Sequence, residues 1–405
     1  MSNKDILKGS LSINIPSSSW SEGGVDASKV DISVTSQAFS QSVAVTISDK
    51  TVSISETFAN LEPGTYDVHV DIFDGERCVV SGEGAVELDA GQVNSVYFIV
   101  ARPEEADEFE PLPSSFMGKL RSKTGSRFDL PTEAQWEYAC RAGTETSYNN
   151  GLDCTFGGTD FTVRDPNLDS VAWYGADWPG EESGIGTREV GLKQPNAWGL
   201  YDMHGNVWEM CLDWFGAYEG DVTDPLGPAS GMKRVAHGGS WHTWASLCRS
   251  GKRMPAKAGR MAGFRLVCST QNIEPSNLYI IVDVSDGPQA VDYPVTSLET
   301  EPADLLSNAL YKTSKIILRR IPAGEFLMGS PENEIARDDN EMRHRVKLTQ
   351  DFYIGVFPVT QGQWKRVMGS NPSFYQNSEK LPVENISWEA DMRGGNWPPS
   401  KAESN

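Results

Sequence analysis

Two stretches hold the side chains best suited to chemistry. The first is Asp202-Met203-His204-Gly205-Asn206-Val207-Trp208-Glu209, with two carboxylates around a glycine. Carboxylates mixed with backbone carbonyls on an irregular loop are what a hard cation such as calcium selects. The same carboxylates bonded to loop amides or to inward arginines would be purely structural. The second stretch is Arg234 to Cys268. From Lys233 to Arg265 it carries Lys233, Arg234, Arg249, Lys252, Arg253, Lys257, Arg260 and Arg265 and no Asp or Glu, in a chain of net charge −21. A basic island in an acidic protein attracts an anionic ligand. Alternatively, Arg249, Arg253 and Arg265 turn inward onto carboxylates from elsewhere, leaving Lys252, Lys257 and Arg260 exposed.

Other catalytic constellations are missing from the sequence. There is no Gly-x-Ser-x-Gly elbow, no phosphate loop and no His-Glu-x-x-His segment. The six cysteines (Cys78, Cys140, Cys154, Cys211, Cys248, Cys268) include no Cys-x-x-Cys pair, so zinc spacing is absent. They are too sparse for a disulfide scaffold. Buried thiols are expected, with room for one or two bridges within 140–268.

The elements around the second stretch must hold a loop. Gly238–Trp241 is a Gly-Gly-Ser-Trp turn, Cys248–Arg253 a Cys-Arg-Ser-Gly-Lys-Arg run, and Gly263–Val267 a small and apolar end. The residues between these anchors have neither the 3.6 nor the 2 periodicity of a core element. They therefore read as a surface loop on a rigid frame, which is where binding commonly resides.

A chain of 405 residues accommodates two or three domains. Its composition is that of a soluble globular protein. Its negative charge argues against nucleic acid and anionic membrane surfaces as partners. No stretch has the roughly 18–20 apolar residues of a membrane span. Met1–Ser19 shows no apolar core of a signal peptide.

Residues 1–102 read as all-β. Short β-branched runs at Leu11–Ile15, Val30–Val34, Val43–Ile47, Val52–Ile54, Thr65–Ile72, Cys78–Val80 and Val93–Val100 are broken by turn residues, with a turn expected over Phe58–Tyr66. A seven-strand sandwich fits, and the pattern resembles fimbrillin-like and immunoglobulin-like surface modules. Residues 103–113 are an acidic, proline-rich linker. Beyond it, Thr132 with Gln135 forms a capping box for a helix that places Trp136, Ala139 and Cys140 on one face and stops at Gly143. Leu278–Ser285 is a strand candidate and Pro302–Ala309 a short helix. Ile321–Ser330 reads as a hairpin, and Phe352–Thr360 as a strand leading into a helix capped by Thr360 and Gln363 and ended by Gly369.

Three motifs in order, Leu130-Pro-Thr-Glu-Ala-Gln-Trp-Glu-Tyr-Ala139, Gly199-Leu-Tyr-Asp-Met-His-Gly-Asn-Val-Trp-Glu209 and Gly238-Gly-Ser-Trp241 through Gly263-Phe-Arg-Leu266, closely resemble the formylglycine-generating enzyme (sulfatase-modifying factor) family. The resemblance implies an α+β fold of the C-type-lectin kind. Ile321-Pro-Ala-Gly-Glu-Phe-Leu-Met-Gly-Ser330, Phe352–Thr360 and Pro382-Val-Glu-Asn-Ile-Ser-Trp388 resemble the amino-terminal half of the same family. In this chain that half comes second. The expected layout is 1–102 sandwich, 103–113 linker, 114–270 carboxyl half, 271–315 joining segment and 316–405 amino half: a circularly permuted lectin-like domain behind an all-β module. Completion of the halves between two chains, or a mis-joined gene, are the other readings.

The resemblance also implies site residues. The corresponding segment of the family holds a structural calcium, here through Asp202, Met203, Gly205, Val207 and Glu209. Oxidase members bind copper through a cysteine pair shortly after the Gly-Gly-Ser turn. Here Cys248 is alone, so no copper is expected, and His242 reads as a surface residue. Variable proteins of diversity-generating retroelements share the fold and end their variable window in Gly-Phe-Arg-Leu. That match makes 236–262 a binding surface, with His237, His242, Thr243, Trp244, Ser246, Leu247, Lys252, Met254, Ala256, Lys257, Ala258, Met261 and Ala262 as contact residues and Trp244, Lys252, Lys257 and Arg260 as its anchors. The implied function is a non-catalytic display protein for a protein or glycan ligand, anionic if the basic island faces it, at the cell surface or outside it. The alternatives are an oxidase acting on cysteine and a structural fusion with neither activity.

Overall fold

The structure is a computed structural model. It describes seven strands of the first 110 residues as backbone, and residues 111–393 apart from 161–162, 176–185, 219, 229–230, 257–258, 260, 271–275 and 389–391. The chain divides into Met1–Glu110 and Pro111–Asn405.

The first unit contains β1 (Gly9–Ile15), β2 (Lys29–Ser36), β3 (Phe39–Thr46), β4 (Ile54–Leu61), β5 (Gly64–Asp74), β6 (Arg77–Leu88) and β7 (Val93–Tyr97). They form two sheets, β4-β1-β7 and β3-β2-β5-β6. The expected turn over Phe58–Tyr66 is displaced: β4 runs on to Leu61 because it pairs along the whole of β1, from Ile15↔Ile54 to Gly9↔Leu61. The alternation of Tyr66 to Ile72 lies in β5, which pairs with β2 on one side and β6 on the other.

The second unit opens with α1 (Phe116–Thr124), β8 (Phe128–Asp129), α2 (Glu133–Arg141), β9 (Ala172–Trp173), β10 (His204–Gly205) and β11 (Trp208–Trp214). Next come β12 (Val222–Thr223), β13 (Arg234–His237), β14 (Arg253–Pro255), β15 (Ala262–Gly263) and β16 (Val267–Ser269). It closes with β17 (Tyr279–Asp283), β18 (Val295–Leu298), β19 (Lys315–Ile321), β20 (Gly324–Met328), β21 (His344–Leu348), β22 (Phe352–Gly355) and α3 (Gln361–Met368).

The sheet order β18-β17-β19-β22-β16-β8 joins strands from before and after the joining segment. β16 pairs with β22, Val267 opposite Ile354, and β22 pairs with β19. The two sets of motifs thus share one sheet within one compact unit. They also share one core: Phe116 of α1 stacks on Trp364 of α3 at 5.0 Å and meets Phe264 edge-on at 5.4 Å. All three rings are buried, each stabilising the fold by about 1.5–3 kcal/mol relative to exposure.

The capping predictions hold for two helices. Thr132 and Gln135 cap α2 reciprocally, and Thr360 and Gln363 do so for α3. The left-handed residue ending α2 is Ala142 rather than Gly143, whereas Gly369 ends α3 as expected. Helix α1 was not foreseen, although Ser115 caps it and left-handed Gly125 ends it. Two other expectations fail. β19 and β20 lie in different sheets, β20 pairing with β21, so Ile321–Ser330 is a corner and not a hairpin. Over 302–309 the chain makes turns, and its only helical turn there is 3-10, at Ala309–Lys312.

Candidate functional site

The window hangs from the sheet β14-β13-β11-β15. Its central strand sets Glu209 opposite His237 of β13 on one side and Gly263 of β15 on the other. Both ends of the loop are therefore fixed to one strand.

Each of the three arginines at the anchors turns inward. Arg265 reaches Glu209 from Nε (2.9 Å) and Nη2 (2.8 Å), and donates to the carbonyls of Gly355 and Tyr201. Arg249 forks onto Glu341 at 2.7 and 3.0 Å. Arg253 meets Glu133 at 2.7 Å, with its guanidinium over the rings of Phe215 and Tyr218. Lys252, expected at the surface, is buried and paired with Asp338 and Glu341. Four of the eight cations, Arg249, Lys252, Arg253 and Arg265, are thus paired with carboxylates from α2, β11 and the β20–β21 loop. These pairs bind the loop to its frame.

Glu133 is the hub of a second buried group. Its Oε1 accepts from His237 Nε2 and from the Tyr218 hydroxyl, both at 3.0 Å, and its backbone N–H donates to Asp213 at 2.6 Å. Burial pushes Glu133 up, but the His237 bond and the Arg253 charge outweigh it and hold the carboxyl below its usual range. Asp213 takes the opposite course: burial first, then the Glu133 charge, pushes it up to about 7.

Five expected contact residues prove to be frame. His237 is fully buried, stacked on Trp136 at 4.9 Å and bonded to Glu133. Thr243 is buried because its hydroxyl bridges the N–H and carbonyl of Ser240. Ser246 is a buried residue of the 3-10 turn at Ala245–Cys248. Ala262 sits in β15, and Lys252 has its carboxylates. His242, Trp244, Leu247, Met254 and Ala256 are half-buried, Ala256 packing against the core, and Met261 is exposed. Lys257, Ala258 and Arg260 lie outside the described residues.

In the loop 202–209 both carboxylates are paired with protein donors. Both Glu209 oxygens are taken by Arg265, and Oε2 also accepts from Trp136 Nε1 at 2.7 Å. Asp202 accepts from the N–H of Gly191 (2.7 Å) and from Asn206; burial pushes its carboxyl up to about 6. That is the arginine-and-amide alternative. Met203 and Val207 are buried core residues. Gly205, at φ 72, lies so close to Trp173 that a Cβ would sit 2.0 Å from its carbonyl oxygen, so it serves the β9–β10 pairing. Among the described residues no group of three or more His, Cys, Asp or Glu side chains is placed to hold a metal.

The five described cysteines are buried and form no disulfide with one another. Cys248 Sγ lies 3.6 Å from Thr243 Oγ1 and shares an apolar cluster with Cys154 and Tyr148. Cys140 lies 3.9 Å from His204 Nε2, and burial raises its thiol to about 12 and lowers His204 to about 4.

Aromatic side chains from another segment complete the surface. Trp241 contacts His242 at 5.0 Å and Tyr375 at 5.4 Å, and Tyr375 contacts Phe374 at 5.0 Å. Sequence reasoning missed Phe374 and Tyr375. Two adjacent aromatics in the polar run Asn371-Pro-Ser-Phe-Tyr-Gln-Asn-Ser378 were the available signal.

The chain matches the family described as sulfatase-modifying factor enzyme 1-like domain over residues 105–270 and 307–403. It is 38% identical over 129 residues to a formylglycine-generating enzyme of Thermomonospora curvata, covering 29% of this chain and 40% of that one. It is 35% identical over 151 residues to the formylglycine-generating enzyme of Streptomyces coelicolor, covering 34% and 45%. These matches thus span less than half the length of either relative. Among solved structures, Treponema denticola variable protein 1 is 40% identical, covering 35% of this chain and 48% of that one at a TM-score of 0.29. PvdO from Pseudomonas aeruginosa is 19% identical, covering 60% and 91% at a TM-score of 0.30. With its family match running over well more than half of its length, the chain belongs to the sulfatase-modifying factor enzyme 1-like domain family.

Proposed function

We propose that this protein is a non-catalytic display protein whose loop 236–262 presents a binding surface for a macromolecular ligand. One observation carries the reading: buried, paired anchors (His237, Ser240, Cys248, Arg249, Arg253) alternate along the loop with the outward positions, residues that are only half-buried (His242, Trp244, Leu247, Met254) or exposed (Met261). Such a loop accepts change at the outward positions without loss of its frame. In this reading the family's two halves occur in inverted order and rejoin through 271–315, and the first unit is a sandwich serving as an attachment module. The outward positions are those a diversity-generating retroelement would vary.

Sequencing the DNA around the gene, and the same gene in sibling isolates, tests this. A near-copy of the window, differing at adenines that fall in the outward codons, is the expected result. An invariant window without such a copy removes the diversifying reading.

A second reading, an oxidase acting on cysteine, draws on Cys154 beside Cys248 in one cluster and on the relatives' names. Aerobic conversion of a cysteine-containing sulfatase peptide, lost in Cys248→Ser, would establish it.

A further inference from the structure

One half-exposed cation outside the window, Arg188, is tied to it through the backbone. Asn206 is the link. Its backbone carbonyl accepts from Trp241 N at 2.9 Å. Its side-chain amide accepts from Arg188 N at 3.0 Å and donates to the Arg188 carbonyl at 3.1 Å. Two residues earlier, Gly186 lies against the face of Tyr375, where a Cβ would come within 2.7 Å of the ring. The segment 186–188 is therefore held between Asn206 and Tyr375. The Arg188 side chain is half-exposed, with its guanidinium 5.8 Å from the Trp173 ring centre, and it forms no ion pair with a described carboxylate.

We propose that Arg188, Trp241, His242, Tyr375 and Phe374 form one contact face that takes a protein segment bearing a carboxylate beside an apolar side chain. This rests on the display reading above and names its partner class. Three features favour it. First, Trp, Tyr and Arg are the residues that dominate protein–protein contacts. Second, the face is fixed beforehand: the Glu384 carboxylate accepts from the N–H groups of Phe374 (2.6 Å) and Tyr375 (2.9 Å), and Asn206 holds the other side. Little ordering entropy is then lost on binding. Third, Trp241 and Tyr375 cross at 84° and Tyr375 and Phe374 at 83°. Rings set edge to face do not form one continuous flat platform of the kind that several sugar rings would span. Phe374, 53% exposed, stands at the rim.

The test uses the full chain and a random peptide library displayed on phage, with a glycan array in parallel. Enriched peptides carrying Asp or Glu next to an apolar residue are expected. Arg188→Gln, Phe374→Ser and Gly186→Ala should each weaken a synthetic copy of the best peptide by about tenfold or more, while Met232→Ser, at an exposed site outside the face, leaves it unchanged. Circular dichroism and melting of each variant separate lost contacts from lost folding. Peptides that are abolished by Trp244→Ala but indifferent to Arg188→Gln and Phe374→Ser would overturn this face and leave the display reading standing. Binding to glycans, or to basic peptides only, would overturn the partner class. No enrichment, with cysteine oxidation observed instead, would sink the display reading itself.

Discussion

Replacing Arg265 by Met removes the centre of the frame. Arg265 is fully buried and makes four hydrogen bonds: two to Glu209 and one each to the carbonyls of Gly355 and Tyr201. Met fills most of its volume, so the loss is electrostatic. Glu209, itself 1% exposed, is left as a buried carboxylate with only Trp136 Nε1 as donor. Removing one partner of a buried ion pair costs about 3–5 kcal/mol, because the other charge stays uncompensated. For a unit of this size that is a melting shift of roughly 10 °C, at ~2–4 °C per kcal/mol. Glu209→Gln in the same background should return part of it, with a coupling of about 0.5–3 kcal/mol. Guanidinium titration of the wild type, both single variants and the double variant measures the cycle. A cost below about 1 kcal/mol for Arg265→Met, or purely additive effects, would refute the pairing. So would a wild-type melting point that falls by a similar amount in EDTA, since Glu209 would then be serving a cation.

Other consequences follow from buried groups. Asp213 has a folded pKa of about 7, above its usual 3.8, so its neutral form is the one the fold favours. The stability this contributes is full below the usual value and is lost as pH rises through 7, at up to about 1.4 kcal/mol per unit. Asp213→Asn should flatten the decline between pH 4 and 7 in a melting series, and an unchanged slope would remove Asp213 as its source. His237→Ala should lower stability by about 2–4 kcal/mol through loss of the Trp136 stack and the Glu133 bond, measured by denaturation, where a surface histidine would give nearly none. The five buried thiols should stay unreactive to a thiol reagent in the native state and all react in denaturant; fast native labelling of Cys248 would contradict its burial.

The sequence exposed the fold where local signals agreed with the tertiary structure. Thr132–Gln135 and Thr360–Gln363 marked two helix starts because a capping box is a short-range device. The motifs carrying the family resemblance mark the anchors of the window, and a basic island without acids of its own points to carboxylates elsewhere as partners of Arg249, Arg253 and Arg265. What failed was long-range. Lys252 and His237 look like loop residues in isolation. Their burial depends on Glu341, Asp338 and Glu133, which lie far along the chain. Glu209 read as an ion ligand because the loop supplied oxygens, while the competing donors, Arg265 and Trp136, came from other elements. Phe374, Tyr375 and Arg188 were overlooked for the same reason: only the packing of 186–188 between Asn206 and Tyr375 brings them to the window.

A saturation substitution scan of 236–262, read out by protease resistance of the displayed protein, tests the central claim most directly. The account predicts tolerance at His242, Trp244, Leu247, Met254 and Met261, and sharp losses at His237, Ser240, Cys248, Arg249, Lys252 and Arg253. Equal sensitivity along the whole window, or tolerance at the anchors, would contradict a display loop held on a fixed frame.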